Sequence, residues 1–273
     1  MPVRYNPGLG MKAGVASLPL FARLELLDVE GKMRTRLRTL ALIALAGLGL
    51  GIVRSSKAEE AAAAKPAPPP QGAIVLFDGK ETCSAWQTGG GKPCPWQVLE
   101  DGSMEVVPKS GSITTKQKFR DCQLHVEFWL PKLPPDVTSQ KRANSGVYLQ
   151  GLYEVQVLDS YNNPTYAMGG CGAIYKIKDP DDFDKAVRPP ETWNTYDITF
   201  RAARWDAAGN KTENARMTVL WNGVKVHDNV EVPKGTAGGK ETPAPGPIML
   251  QDHGNKVRYR NVWIVPMAEG DKQ

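Results

Sequence analysis

The sequence predicts an all-β protein, a jelly roll or sandwich of antiparallel strands, and three observations predict it. From Gln71 onward, apolar and polar residues alternate in short runs, the period-two signature of half-buried strands. The turn signals Asp78-Gly79, Asp101-Gly102, Asn222-Gly223 and His253-Gly254-Asn255 separate those runs. Little in the same region has a helical period. Many short strands at this spacing stack as two sheets.

In chain order the expected strands are 74–77, 96–99, 103–107, 113–115, 122–130, 145–150, 153–158, 173–175, 196–204, 216–221, 224–230, 248–252 and 257–265. The cleanest hairpin joins 216–221 to 224–230, because both turn positions of a type I′ turn need positive φ and Asn222-Gly223 supplies them. The pair 145–150 and 153–158 is joined by Gly151-Leu152 and should be antiparallel. The Pro-rich stretches 180–190 and 243–247 read as connections, which at a sandwich rim can border a groove or simply link strands.

The first quarter of the 273-residue chain reads differently. Met33 opens a basic stretch with Arg34, Arg36 and Arg38, an apolar run covers 40–53, and Ser56-Lys57-Ala58 resembles a cleavage site. This is the pattern of a secretory signal over 33–58, which predicts a secreted or periplasmic protein. The apolar run is short against the ~20 residues of a membrane span, so no stable span is expected once the signal is removed. Residues 1–32 are then an extension from an upstream start, 59–72 an Ala/Pro-rich linker unable to bury a core, 73–267 the folded domain and 268–273 a tail.

The formal charge of +5 belongs to that N-terminal part. Residues 1–58 hold nine of the 34 basic and three of the 29 acidic residues, leaving 25 against 26. A near-neutral domain with interspersed charges gives nucleic acid no basic surface. All four cysteines, Cys83, Cys94, Cys122 and Cys171, lie in the expected domain. An even count in an oxidising compartment favours two disulfides, Cys83 with Cys94 and Cys122 with Cys171 being the favoured of three pairings. The competing zinc reading lacks ligand spacing.

Several polar residues stand where chemistry is possible. In 153–158, Val155 and Val157 alternate with Glu154 and Gln156, giving either an ordinary half-exposed strand or one wall of a site. A bulge near Leu158 would return Asp159 to the face of Glu154 and Gln156. Tyr148 and Gln150 share the outward face of the preceding strand. His125 and Glu127, two apart, form a base with its orienter, two metal ligands, or a surface pair. Near the C-terminus, Gln251, Asp252 and His253 cluster before a glycine turn, with Arg258 or Arg260 available to an anion, although Asp252 also suits a purely structural role in the turn. His227 has a weaker claim. A sheet lined with Glu, Gln, Asp, Tyr, Trp and His suits sugar hydroxyls and ring faces, which points to carbohydrate without separating a lectin from an enzyme.

Nine motifs in order carry a resemblance. Leu76-Phe-Asp-Gly-Lys80 with Trp86, Trp96 with Glu100-Asp-Gly102, Asn144-Ser-Gly-Val-Tyr148, Tyr153-Glu-Val-Gln-Val-Leu-Asp159, Ala173-Ile-Tyr175, Trp193-Asn194, Trp221-Asn-Gly223, Leu250-Gln-Asp-His-Gly254 and Arg260-Asn-Val262 together resemble the 3-keto-disaccharide hydrolase domain family over 74–265. The resemblance implies a concanavalin-like jelly roll that acts on 3-keto-glycosides. It is also similar in layout to sandwich glucanases with Glu-x-Asp-x-x-Glu, but here the strand reads Glu154-x-Gln156-x-x-Asp159, so their retaining carboxylate pair does not transfer. A ketone at C3 acidifies the C2 proton and opens a β-elimination route followed by hydration. On this reading Glu154 or His253 is the base and Glu127 and Asp159 are acid or ligand candidates. His125, Tyr148, Gln150, Gln156, Gln251 and Arg258 would bind substrate. A divalent cation at the ketone is an option that no ligand spacing demands. The alternative is a non-catalytic, lectin-like carbohydrate-binding module.

Overall fold

The computed structural model describes residues 68–80, 83–236 and 238–268. The expected extension, the signal and most of the linker, and most of the tail, lie outside the described residues. In chain order the strands are β1 (Ile74–Phe77), β2 (Trp86–Thr88), β3 (Gln97–Val98), β4 (Met104–Glu105), β5 (Ile113–Phe119), β6 (Cys122–Trp129), β7 (Ser145–Leu149), β8 (Tyr153–Val157), β9 (Trp193–Arg201), β10 (Arg204–Trp205), β11 (Lys211–Glu213), β12 (Ala215–Trp221), β13 (Val224–Val232), β14 (Gly246–Leu250) and β15 (Arg258–Pro266). One helical turn, α1 (Phe183–Ala186), and a 3₁₀ turn at Ser139–Lys141 complete the described elements.

Two antiparallel sheets stack as a sandwich. The eight-stranded sheet runs β13-β12-β9-β6-β15-β4-β3, with β1 also on β15, and the five-stranded sheet runs β2-β5-β14-β7-β8. Alternation decides which side chains meet between them. Leu124, Val126 and Phe128 of β6 and Tyr196, Ile198 and Phe200 of β9 are buried from one side; Val147, Leu149, Val155 and Val157 are buried from the other. Tyr153 packs on Phe200 with ring centroids 5.3 Å apart. Polar links cross the same gap: the Tyr196 hydroxyl donates to the Gln156 carbonyl at 2.6 Å, and the Ser145 and Tyr259 hydroxyls lie 2.6 Å apart.

The Asn222-Gly223 hairpin forms as expected, with φ of 52° and 78°. The expected strand at 173–175 is only an isolated bridge in which Ile174 meets Val155 and Lys178. The short strands β2, β10 and β11 carry too few residues for a periodic pattern to announce them.

The cysteine expectation is corrected, because all four thiols are free. Cys171 lies 3.2 Å from the Tyr196 hydroxyl, whereas Cys122 pairs with Phe200, four residues further along β9. At ~3.3 Å per residue that offset is ~13 Å, past the ~7 Å between Cα atoms that a disulfide spans. Cys83 Sγ donates to the Trp96 carbonyl at 3.8 Å, and the neighbouring Cys94 thiol pulls Cys83 down to about 7.

Candidate functional site

The β7–β8 pair builds the site. Its register sets Tyr148 opposite Glu154 and Gly146 opposite Gln156. Since Val147, Leu149, Val155 and Val157 enter the core, these four polar or small residues share the outer face. A cavity of about 170 Å³ opens over them.

Glu154 is the cavity's carboxylate, and it is 4 % exposed. Burial pushes its acid up to about 7, against the opposing effects of a hydrogen bond from Tyr148 and the charge of Lys176. Burial and the neighbouring Glu154 charge push the Tyr148 phenol up, so it stays a proton donor. Gln251 fixes that phenol, donating from Nε2 to the Tyr148 hydroxyl at 2.8 Å. The other amide atom of Gln251, Oε1, is buried without a hydrogen-bond partner. An orphaned acceptor on a cavity-lining residue is a place for a ligand hydroxyl. Gly146 makes room for this arrangement, because a Cβ there would lie 2.5 Å from Glu154 Oε1 and 2.7 Å from Tyr148 Cε2.

Amides and hydroxyls from loops complete the walls. Gln140 accepts from Gln156 Nε2 at 3.2 Å and from Asn144 Nδ2 at 3.1 Å, while its own Nε2 donates to Thr165 Oγ1 and the Gly169 carbonyl. Thr236 reaches over from the loop after β13, its Oγ1 accepting from the Glu154 backbone N–H at 2.9 Å. Tyr175 lines the cavity and shares a 2.5 Å hydroxyl contact with Tyr166. The imidazole of His253 stands exposed at the rim.

Of the residues singled out in the sequence, the structure therefore brings together Glu154, Gln156, Tyr148, Gln251 and His253. It does not bring Asp159 to them. No bulge occurs, β8 ends at Val157, Leu158 turns into the core, and Asp159 pairs with Arg142 at 2.9 Å in a separate cavity. Gln150 occupies the β7–β8 turn at φ 54° and donates to the Phe119 carbonyl.

His125, Glu127 and Arg258 lie on the outer face of the eight-stranded sheet, on the far side of the core. His125 Nδ1 is 2.6 Å from Asp197 and its Nε2 is 3.6 Å from Glu127. Arg260 Nε and Asn261 Nδ2 donate to Glu127 at 2.6 and 2.8 Å. Arg258 pairs with Glu105 at 2.8 Å and covers the Trp129 ring. Each of these charged groups is thus paired with an oppositely charged partner on its own sheet, away from the Glu154 cavity. Asp252 accepts from the Gly111 and Gly254 backbone N–H groups, the structural role its turn suggested.

Gln140, Asn144, Tyr175 and Thr236 also line the cavity, and the sequence pattern did not single them out as site residues. Asn144 and Tyr175 stand inside the recurring motifs, which was the available signal; Gln140 and Thr236 come from loops with no pattern. The optional cation finds no group of three His, Cys, Asp or Glu side chains fit to share it among the described residues.

Comparison with known proteins agrees with this architecture. A family model described as the 3-keto-alpha-glucoside-1,2-lyase-like domain matches residues 72–265. A solved candidate glycosyl hydrolase from Parabacteroides distasonis is 38% identical, with a TM-score of 0.66 over 75% of this chain and 94% of that one. A second candidate glycosyl hydrolase from the same organism shares the fold at 21% identity, with a TM-score of 0.54 over 72% and 94% of the two chains. Among curated proteins none matches.

Proposed function

We propose, for a chain that belongs to the 3-keto-alpha-glucoside-1,2-lyase-like domain family, that it cleaves 3-keto-glycosides by β-elimination, with Glu154 as the base. The observation that carries this reading is the Glu154 carboxyl, buried in a polar cavity and raised to about 7. A carboxylate poised near neutrality accepts a proton far better than an ordinary one.

The steps follow from the substrate's chemistry. Glu154 takes the C2 proton, which the adjacent ketone acidifies. The C2–H electron pair becomes the C1–C2 double bond, and the glycosidic C1–O bond breaks with its electrons on the leaving oxygen. That oxygen needs a proton, for which His253 at the rim and the phenol of Tyr148 are the cavity's donors. Water then adds across the double bond to give the free 3-keto sugar. Gln140, Asn144, Gln156 and the orphaned Oε1 of Gln251 supply hydrogen bonds for ring hydroxyls.

A lectin-like module does not account for a buried carboxyl raised to about 7, and Trp86, Trp96 and Trp221 are buried in the core and offer no stacking face. The reading includes export, supported by the basic and apolar pattern of 33–58.

The test is direct. The purified protein is incubated with a 3-keto disaccharide and its unoxidised parent, and products are followed by mass and by solvent deuterium entering C2. Turnover of the keto sugar alone is expected, and Glu154→Gln should abolish both product and exchange. Cleavage of the unoxidised sugar alone would sink the proposal.

A further inference from the structure

Beside the Glu154 cavity lies a larger one of about 530 Å³, formed by the loop that follows β8. Its lining includes Ser160, Asn162, Thr165, Tyr166 and Asp179, with Phe183 of α1 at one edge. Two hydrogen-bonded pairs of side chains link the linings of the two cavities. Tyr175 lines the first and Tyr166 the second, and their hydroxyls are hydrogen-bonded. Gln140 lines the first and bonds through Nε2 to Thr165, which lines the second, at 2.8 Å.

Size gives this adjacency a meaning. Pockets that bury a whole small ligand usually measure roughly 300–1,000 Å³. The Glu154 cavity, at about 170 Å³, accommodates one sugar ring at most. A glycoside has a second part, and an elimination must let it depart. A second compartment beside the first gives that part a place to bind.

The neighbouring loop also presents the right surface. Tyr166 is 48 % exposed, and it and Tyr161 are the large aromatic side chains left exposed among the described residues. Gly169 sets the ring in place: a Cβ there would lie 2.3 Å from Tyr166 Cε2, so glycine lets the ring rest against the backbone. The ring also meets Tyr175 at 61° with centroids 6.4 Å apart. A held aromatic face beside amide and carboxylate groups suits a pyranose, whose C–H face stacks while its hydroxyls bond.

We infer that this second cavity is the leaving-group subsite, that it takes a pyranose, and that Tyr166 is its stacking and specificity-determining residue. The inference rests on the proposed lyase reading for the identity of the departing group. It separates substrates by their aglycones. A disaccharide uses both cavities, whereas a methyl glycoside uses only the first.

The experiment compares wild type, Tyr166→Ala and Tyr166→Phe on a 3-keto disaccharide and on methyl 3-keto-glucoside. Tyr166→Ala is expected to lower kcat/KM for the disaccharide about tenfold, as the loss of one aromatic stacking contact predicts, and to leave the methyl glycoside within about twofold. Tyr166→Phe keeps the ring and should keep disaccharide selectivity. An equal loss on both substrates would overturn the inference, since Tyr166 would then act through Tyr175 on the first cavity; so would no loss on either. In parallel, glucose is titrated into isotope-labelled protein and amide shifts are mapped. Saturable shifts at Thr165 and Tyr166 that vanish in Tyr166→Ala support the subsite, and their absence overturns it. If wild type turns over neither keto sugar, the lyase reading falls, and the shift map still decides whether the second cavity holds a pyranose.

Discussion

Tyr148 and Glu154 face each other across the β7–β8 ladder, and Gln251 donates to the Tyr148 phenol at 2.8 Å. The base thus carries a fixed neighbour on the same sheet. Replacing Glu154 by Gln keeps the shape and removes the proton acceptor. We expect kcat on a 3-keto disaccharide to fall about 10²- to 10⁴-fold, with Tm equal to or above that of wild type. Steady-state rates beside a thermal melt check both halves.

The pH profile follows from the same carboxyl. The base works when ionised, so kcat/KM should rise with pH and level off above about 7. Stability runs the other way. Burial raises the acid from its ordinary 4.5 to about 7, so the native state holds a proton that the unfolded chain has already released between those values. The group's contribution is greatest below 4.5 and falls as pH rises toward 7. Denaturant melts from pH 4 to 8 should show this decline in wild type and its absence in Glu154→Gln.

Gly146→Ala tests the fit around the pair. The added methyl would lie 2.5 Å from Glu154 Oε1 and 2.7 Å from Tyr148, so both side chains must move. Overpacking of this kind costs about 1–3 kcal/mol, and displacement of the base should remove most of the activity. Adding Glu154→Ala removes the nearer of the two clashes. The double variant should regain part of the stability without regaining turnover, a non-additive pair that a mutant cycle reads.

The residues that form this face were legible because the strand alternation separates Val155 and Val157 from Glu154 and Gln156. That rule distinguishes core from surface but not one surface from another. His125 and Glu127 alternate with Leu124, Val126 and Phe128 in the same manner, and they fall on the opposite sheet. Asp159 shows a second limit: where the strand ends, the period no longer applies, and Leu158 turns inward. Gln140 and Thr236 reach the cavity only through loop geometry. The turn at Asn222-Gly223 was readable from two residues, whereas the Glu154 walls need contacts spanning more than 80 positions.

Glu127→Gln separates the two faces. Glu127 is buried, and although burial opposes its charge, hydrogen bonds from His125, Asn261 and Arg260 hold its acid below 4.5. Burial likewise opposes the charge on His125, but Asp197 and Glu127 hold it up at about 9. The carboxylate's contribution to stability is present above 4.5 and lost as pH falls through its folded value; the imidazole's is present below 6.5 and lost as pH rises through about 9. Removing the Glu127 charge should cost about 3 kcal/mol at pH 6 and flatten the acid limb of the melt curve. Turnover per folded molecule should remain within about twofold of wild type. A hundredfold loss of kcat in a folded variant would return Glu127 to the chemistry.

The chain after β13 brings Thr236 to the cavity wall, and its fastening predicts how firmly that wall is held. Lys211 of β11 donates to the Pro233 carbonyl and to Glu241 Oε2, both at 2.7 Å, and the Tyr153 hydroxyl donates to Glu241 Oε1 at 2.5 Å. Between those anchors, Thr236 caps the Glu154 backbone N–H. Tyr153→Phe removes one anchor and leaves the ring on Phe200. A lost hydrogen bond to a carboxylate costs about 1.5–3 kcal/mol, enough to speed local opening tenfold or more. The Glu154 amide should therefore exchange with deuterium at least about tenfold faster, while the ladder amides of β7 stay slow. Because Thr236 also forms part of the cavity wall, KM should rise several-fold with a smaller change in kcat. Unchanged exchange at Glu154 would mean that Lys211 alone secures this segment, and Lys211→Met would then produce the effect instead.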